Sequence, residues 1–70
     1  MPLLAATMGQ EYTVESLMLQ GNIKRHMDNL GVLPGEKVIP ISQNGSSLIV
    51  RIRDCRLAIS MGVAAKIQVR

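Results

Sequence analysis

The clearest hydrophobic pattern lies in the C-terminal half of the chain. Leu48, Val50 and Ile52 alternate with Ile49, Arg51 and Arg53; after Asp54, Cys55, Leu57 and Ile59 alternate with Arg56, Ala58 and Ser60. Alternation with period two predicts two half-buried strands joined by a tight turn at Asp54. Asn44-Gly45, inside Gln43-Asn44-Gly45-Ser46, predicts the hairpin turn that leads into the first of them. The strand before that turn, about Glu36 to Ser42, carries Val38, Ile39 and Ile41. It also contains Pro40, which donates nothing to a ladder and is expected to face an edge or a barrel opening. Near the N-terminus, Gln10 to Leu19 reads as a strand whose apolar parity changes, from Tyr12 and Val14 to Leu17 and Leu19. A change of face within one strand predicts a bulge. Pro2 to Gly9 reads as a loop or one helical turn, with Leu3, Leu4 and Met8 available to cap one end of a core. Met61 to Ala65 reads as a helical turn, and Lys66 to Arg70 as a last strand with Ile67 and Val69 inward.

Between Gly21 and Gly31 the period changes to that of a helix. Ile23, Met27 and Leu30 recur at i, i+4 and i+7 with His26 beside them, which predicts a helix over about 22–30 with one apolar stripe. Asn22 is a candidate N-cap. Gly31 stands where a C′ residue takes positive φ, and Val32 follows where a Schellman motif places an apolar contact. Leu33-Pro34-Gly35 fits a type II turn, with Pro presetting φ and Gly supplying the positive φ. The helix is expected to lie as a plug against the sheet. Five short strands, this one inserted helix and a helical turn near 61–65 predict a mainly-β fold: a small, strongly bent barrel whose closure hides its edges.

With 70 residues the chain is expected to be a single domain, residues 1–70. It has no Trp or Phe, and Tyr12 is its one aromatic residue, so the core must be aliphatic. One cysteine, Cys55, makes no internal disulfide, and that count fits a reducing compartment. No apolar run approaches the roughly 20 residues that span a bilayer, and the N-terminal residues lack the basic region of a signal peptide. The protein is expected to be soluble and cytoplasmic, not itself a membrane protein. A net charge of +3 is mild and does not by itself indicate nucleic acid.

Nucleotide-binding and hydrolase motifs are absent. Cys55 on an apolar strand face reads as a buried small hydrophobe. His26 beside the helix stripe reads as a partly buried packing residue. His26, Asp28 and Cys55 are weak metal-ligand candidates, since zinc-type spacing is missing and positions i and i+2 lie on different helix faces. The methionines read as core gap-fillers. Arg51, Arg53 and Arg56 form a basic patch without the aromatic residues on which single-stranded nucleic acid stacks. A solvated face, or a protein-docking one, is expected there. Lys24 and Arg25 put two cations at the positive end of the helix dipole, an arrangement that costs about 0.3–1 kcal/mol each. Local rules are most often broken at functional sites.

The run Ile23 to Leu30, the Leu30-Gly31-Val32 stop and Pro34-Gly35 resemble the L-x-x-L-G-(apolar)-x-P-G signature of the ferrous iron transport protein A (FeoA) family. Gly9 before the first strand, Val38 after the Pro-Gly turn, Leu57-Ala58-Ile59, and Ala64, Ile67 and Val69 in a closing A-x-x-I-x-V extend the resemblance over nearly the whole chain. Asp54, where the family often has Gly, and Met27, where leucine is usual, depart from it. The resemblance implies an SH3-like barrel with an inserted helix. It implies a non-enzymatic cytoplasmic protein that assists a membrane ferrous-iron transporter bearing a GTPase domain. The domain is also similar to the C-terminal module of diphtheria-toxin-repressor-type regulators, whose preceding DNA-binding region is not expected here. On this reading Lys24, Arg25 and Leu33, with Arg51 and Arg53, are the partner-binding residues, and Arg51 or Arg53 is the candidate to stabilise phosphoryl-transfer charge in the partner. Asn22, Gly31, Pro34 and Gly35 are structural. The alternative is a carrier or sensor that binds Fe(2+) or another divalent transition metal directly; no tightly bound cofactor is expected.

Overall fold

A computed structural model describes all 70 residues. Five strands form one antiparallel sheet: β1 (Tyr12–Leu17), β2 (Lys37–Asn44), β3 (Ser47–Ile52), β4 (Cys55–Ser60) and β5 (Ile67–Val69), in the order β4-β3-β2-β1-β5. One helix, α1 (Gly21–Asn29), is inserted between β1 and β2, and a second, α2 (Met61–Ala64), joins β4 to β5. A 3₁₀ turn at Leu3–Ala5 precedes the sheet.

The alternation read from the sequence sets the faces. Leu48, Val50 and Ile52 are buried, as are Val38, Val14, Ile67 and Val69. The register of β3 against β4 runs without interruption from Ser47 opposite Ser60 to Ile52 opposite Cys55. The register of β1 against β5 shifts between Val14 and Ser16, which is the bulge the parity change predicts. A second shift in β2 lies between Pro40 and Ser42. Pro40 is buried beside this bulge, and its carbonyl accepts from the Gly9 amide at 2.6 Å. A residue that cannot donate is thus placed where the ladder is already interrupted.

Ladder hydrogen bonds do not complete the barrel. β4 and β5 end the sheet and do not pair with each other. Instead α2 crosses the gap and buries Ala64, with the Ser60 hydroxyl accepting from the Val63 amide at 3.3 Å as its N-cap. Beside α2 and β5 the 3₁₀ turn inserts Leu3, which is only 1% exposed. Leu4 and Met8 stay largely outside, so Leu3 and Ala6 do the capping that was expected of Leu3, Leu4 and Met8. The single aromatic side chain, Tyr12, is buried and accepts from the Thr7 amide at 2.9 Å through its hydroxyl.

The end of α1 follows the sequence reading in detail. Gly31 has φ +91°; its amide donates to the Asp28 carbonyl at 3.1 Å, and the Val32 amide to Met27 at 2.9 Å. Those two bonds define a Schellman motif, and Val32 is buried as its apolar contact. Glu36 then donates to the Leu33 carbonyl at 3.0 Å across Pro34 and Gly35, whose φ is +93°. The start of α1 does not follow. The chain enters through positive φ at Gly21, and Asn22 falls inside the first turn with no side-chain bond. An N-cap must precede the first turn to reach its free amides, so Asn22 cannot act as one.

Candidate functional site

α1 stands off the barrel. Only Met27 of its nine residues is buried. Ile23 is 52% exposed and Leu30 37%, so the predicted stripe is not a core stripe. The helix is held by Met27 and by the Val32 plug that follows it, and the expected plug of α1 against the sheet is corrected accordingly. His26 is exposed as well.

What α1 gains by standing off is a groove. Met18, Leu19 and Gln20 lead out of β1, Ile23 opens α1, and Val63 and Lys66 flank the end of α2. Together with Ser60 and Gly62 they enclose two adjoining open concavities of about 400 and 270 Å³, which share Leu19, Ile23 and Lys66. Backbone bonds fix the floor: the Met18 amide donates to the Lys66 carbonyl at 2.7 Å, and the Lys66 amide to Val63 at 2.9 Å. Met18, at 66% exposure, and Ile23 form an apolar rim. A large apolar side chain left in water forfeits about 1.5–3 kcal/mol of burial, which a partner covering it would recover.

The one charged side chain that lines this groove is basic. Lys66 lines both concavities. Lys24 pairs with Asp28 at 3.1 Å on α1, whereas Arg25 is exposed and forms no ion pair. Leu33, at the Pro34-Gly35 turn, is 36% exposed. The β3–β4 hairpin carries the other predicted cations. Arg51 is exposed and without an ion pair, but Arg53 is bound to Glu36 and is not free as expected.

The weak metal candidates do not converge. No three His, Cys, Asp or Glu side chains gather closely enough to hold an ion. Asp28 is engaged by Lys24, and Cys55 sits on a different element from His26 and Asp28. Cys55 is exposed rather than buried, although Ile52 opposite it is buried, because β4 is the edge strand of the sheet and nothing packs beyond it there; Leu57 is half-buried, and only Ile59 is fully inside. Sequence reasoning missed Met18, Leu19, Val63 and Lys66 as site residues. The unbroken apolar run Leu17-Met18-Leu19 was the available signal, since successive residues of an extended chain cannot all face one core.

A family model for the FeoA domain matches residues 1–70. Among curated proteins no sequence relative matches the chain. Among solved structures, the chain resembles iron(II) transport protein A of Clostridium thermocellum, at 20% identity and a TM-score of 0.92, covering 99% of this chain and 44% of that one. It thus spans less than half of that structure's length. It resembles the FeoA protein of Chlorobium tepidum at 21% identity and a TM-score of 0.92, over 99% of this chain and 68% of that one. It resembles a zinc complex of Stenotrophomonas maltophilia FeoA at 28% identity and a TM-score of 0.86, over all of this chain and 89% of that one. That protein is described as a prokaryotic SH3-domain protein and proposed as a ferrous iron transport activating factor.

Proposed function

The chain belongs to the FeoA family, and on that footing we propose that it is an accessory protein of ferrous iron uptake. It docks on the cytoplasmic part of a membrane ferrous-iron transporter that carries a GTPase domain, and it modulates that transporter without catalysing a reaction itself. The observation that carries this reading is the open groove between α1 and α2, with Met18 and Ile23 as its apolar rim and Lys66 lining both of its parts. An SH3-like barrel of this size has no need to leave Ile23 and Met18 in water for its own stability. Burying them under an apolar segment of the partner, with carboxylates meeting Arg25 and Lys66, gives a contact with an apolar centre and a charged rim. Leu33, at the Gly31 to Gly35 reversal and outside the groove, belongs to the proposal as a further expected partner residue. Arg51 and Arg53 belong to the same proposal as expected partner residues; Arg51 is the freer, since Glu36 already neutralises Arg53.

Affinity capture tests the reading. The tagged chain should retain the ferrous-iron transporter from detergent-solubilised membranes, and Ile23→Gln or Arg25→Glu should reduce retention several-fold. The Arg25→Glu effect should be larger at low salt, because exposed charges are screened within about 10 Å at 0.1 M salt. Retention that neither variant changes would refute it. The zinc complex of the Stenotrophomonas relative favours a second reading, direct binding of a divalent transition metal. Equilibrium dialysis with ferrous ion separates the two: stoichiometric binding lost in a His26→Ala, Cys55→Ser double variant belongs to the second alone.

A further inference from the structure

A strand that ends a sheet leaves every second amide and carbonyl without a partner. β4 is such a strand. The ladder beyond it continues in register, with the Met61 amide donating to Ser46 at 3.0 Å. Antiparallel pairs alternate between bonded and non-bonded. With Ser46–Met61 bonded, Leu48–Ile59, Val50–Leu57 and Ile52–Cys55 are the bonded pairs, and Arg51–Arg56 and Ile49–Ala58 are not. The N–H and C=O of Arg56 and Ala58 therefore point away from β3, and no other backbone group bonds to them.

The same register sets Arg51 directly opposite Arg56 on the outer face. In a non-bonded pair the Cα atoms are about 4.5 Å apart, and like charges so placed destabilise the sheet. Neither arginine has an ion-pair partner; the ion pairs of the molecule are Lys24–Asp28, Arg53–Glu36 and Arg70–Glu15. Asp54, in the adjoining turn, pairs with neither. Arg51 Nε donates to the Arg53 carbonyl at 3.4 Å, which holds its side chain along the hairpin.

We propose that the open edge of β4 receives an extended acidic segment of a partner protein, added antiparallel or parallel as a sixth strand. Its backbone pairs with Arg56 and Ala58, and carboxylates at alternate positions neutralise Arg51 and Arg56. Ala58, small and exposed, leaves room beside the arginines. A second copy of this chain is the wrong occupant, because it would bring a second Arg51–Arg56 pair to the same edge. This surface shares no residue with the groove between α1 and α2, and of the residues proposed for docking on the transporter only Arg51 belongs to it, so the Arg56 and Ala58 amides and the groove variants test the two proposals separately.

The test is an NMR titration of the full ¹⁵N-labelled chain with a synthetic Glu-Val-Glu-Val-Glu peptide flanked by serines, and with its Lys-Val-Lys-Val-Lys counterpart. The acidic peptide should shift the Arg56 and Ala58 amides and slow their exchange with solvent. Arg51→Gln with Arg56→Gln should weaken it by about tenfold while leaving the spectrum folded, since surface substitutions are usually benign. Ala58→Pro, which removes an edge donor but no bond to β3, should weaken it also. Four results would overturn the proposal: no shift at Arg56 or Ala58 with millimolar peptide at low salt, equal binding of the lysine peptide, shifts at Met18 to Ile23 instead, or line broadening that follows protein concentration without peptide.

Discussion

Gly31→Ala isolates the backbone term at the end of α1. A Cβ built on Gly31 meets nothing within 4 Å, so steric clash contributes nothing. What the substitution changes is conformation, because φ is +91° and an L residue resists that region. The penalty for a non-glycine residue in left-handed backbone is about 1–2 kcal/mol for alanine, rising to about 3 for a β-branched residue as in Gly31→Val. If the chain relaxes φ to avoid it, the Gly31–Asp28 and Val32–Met27 bonds open and Val32 is pulled from the core, so relaxation offers no cheaper route. A domain of this size holds only about 3–5 kcal/mol in reserve. Gly31→Ala should therefore lower the melting temperature by roughly 5–15 °C, taking about 4–8 °C per kcal/mol for a 60–100-residue domain. Gly62→Ala is the control. Gly62 also has open space around its Cβ position but sits in α2 without positive φ. There alanine should stabilise by about 0.5–1 kcal/mol, through helix propensity and a less disordered unfolded chain. Thermal denaturation followed by far-ultraviolet circular dichroism reads both. Shifts of the same sign in the two variants would refute the reasoning.

Other perturbations probe the faces and the charges. Val50→Ala, at a fully buried position, should cost about 2 kcal/mol in urea denaturation, and Leu57→Ala, half-buried, about 1. Arg56→Ala should be neutral or stabilise by up to about 0.5 kcal/mol, since it removes a like charge opposite Arg51; a loss as large as that of Val50→Ala would contradict the register. Arg25→Glu should change stability by less than about 0.3 kcal/mol at low salt, because α1 begins at Gly21 and Arg25 lies past its first turn, where the dipole acts. Lys24→Glu should lose stability, because it replaces the 3.1 Å pair with Asp28 by a repulsion, and equal effects of the two in a melting series would show that this pair contributes nothing. Ile23→Gln should leave the melting point nearly unchanged, as suits a residue half in water; a large loss would return Ile23 to the core.

The parts of the fold that sequence expressed were those fixed by local chemistry. Gly31, Val32, Pro34 and Gly35 each do what their backbone preferences demand, and those demands hold whatever the rest of the chain does. The bulge in β1 was legible because a period of two would put Val14 and Leu17 on different faces, and only an extra residue lets both face the core opposite Val69 and Ile67. The docking of α1 was not legible. The spacing of Ile23, Met27 and Leu30 says which residues share a face, but not what that face meets; in a chain this short it meets the barrel only at Met27. Cys55 was misjudged for a related reason. Alternation assigns Cys55 to the inner face together with Leu57 and Ile59, but it does not say which strand ends the sheet. Exposure grows along the edge strand β4 from Ile59 to Cys55, while Val50 and Ile52 opposite it on β3 stay buried. The candidate groove was harder still, since Met18, Leu19, Val63 and Lys66 are brought together by the β1–β5 pairing and by α2, contacts between opposite ends of the chain.

Hydrogen exchange read by mass spectrometry, on the full chain with and without the purified transporter, tests most directly whether the groove between α1 and α2 is the docking face proposed above. Exchange should slow at Met18 to Arg25 and at Val63 to Lys66 in the complex, with the β2–β3 turn at Gly45 unchanged. Exchange unaltered in both groove segments while the transporter is bound would contradict it.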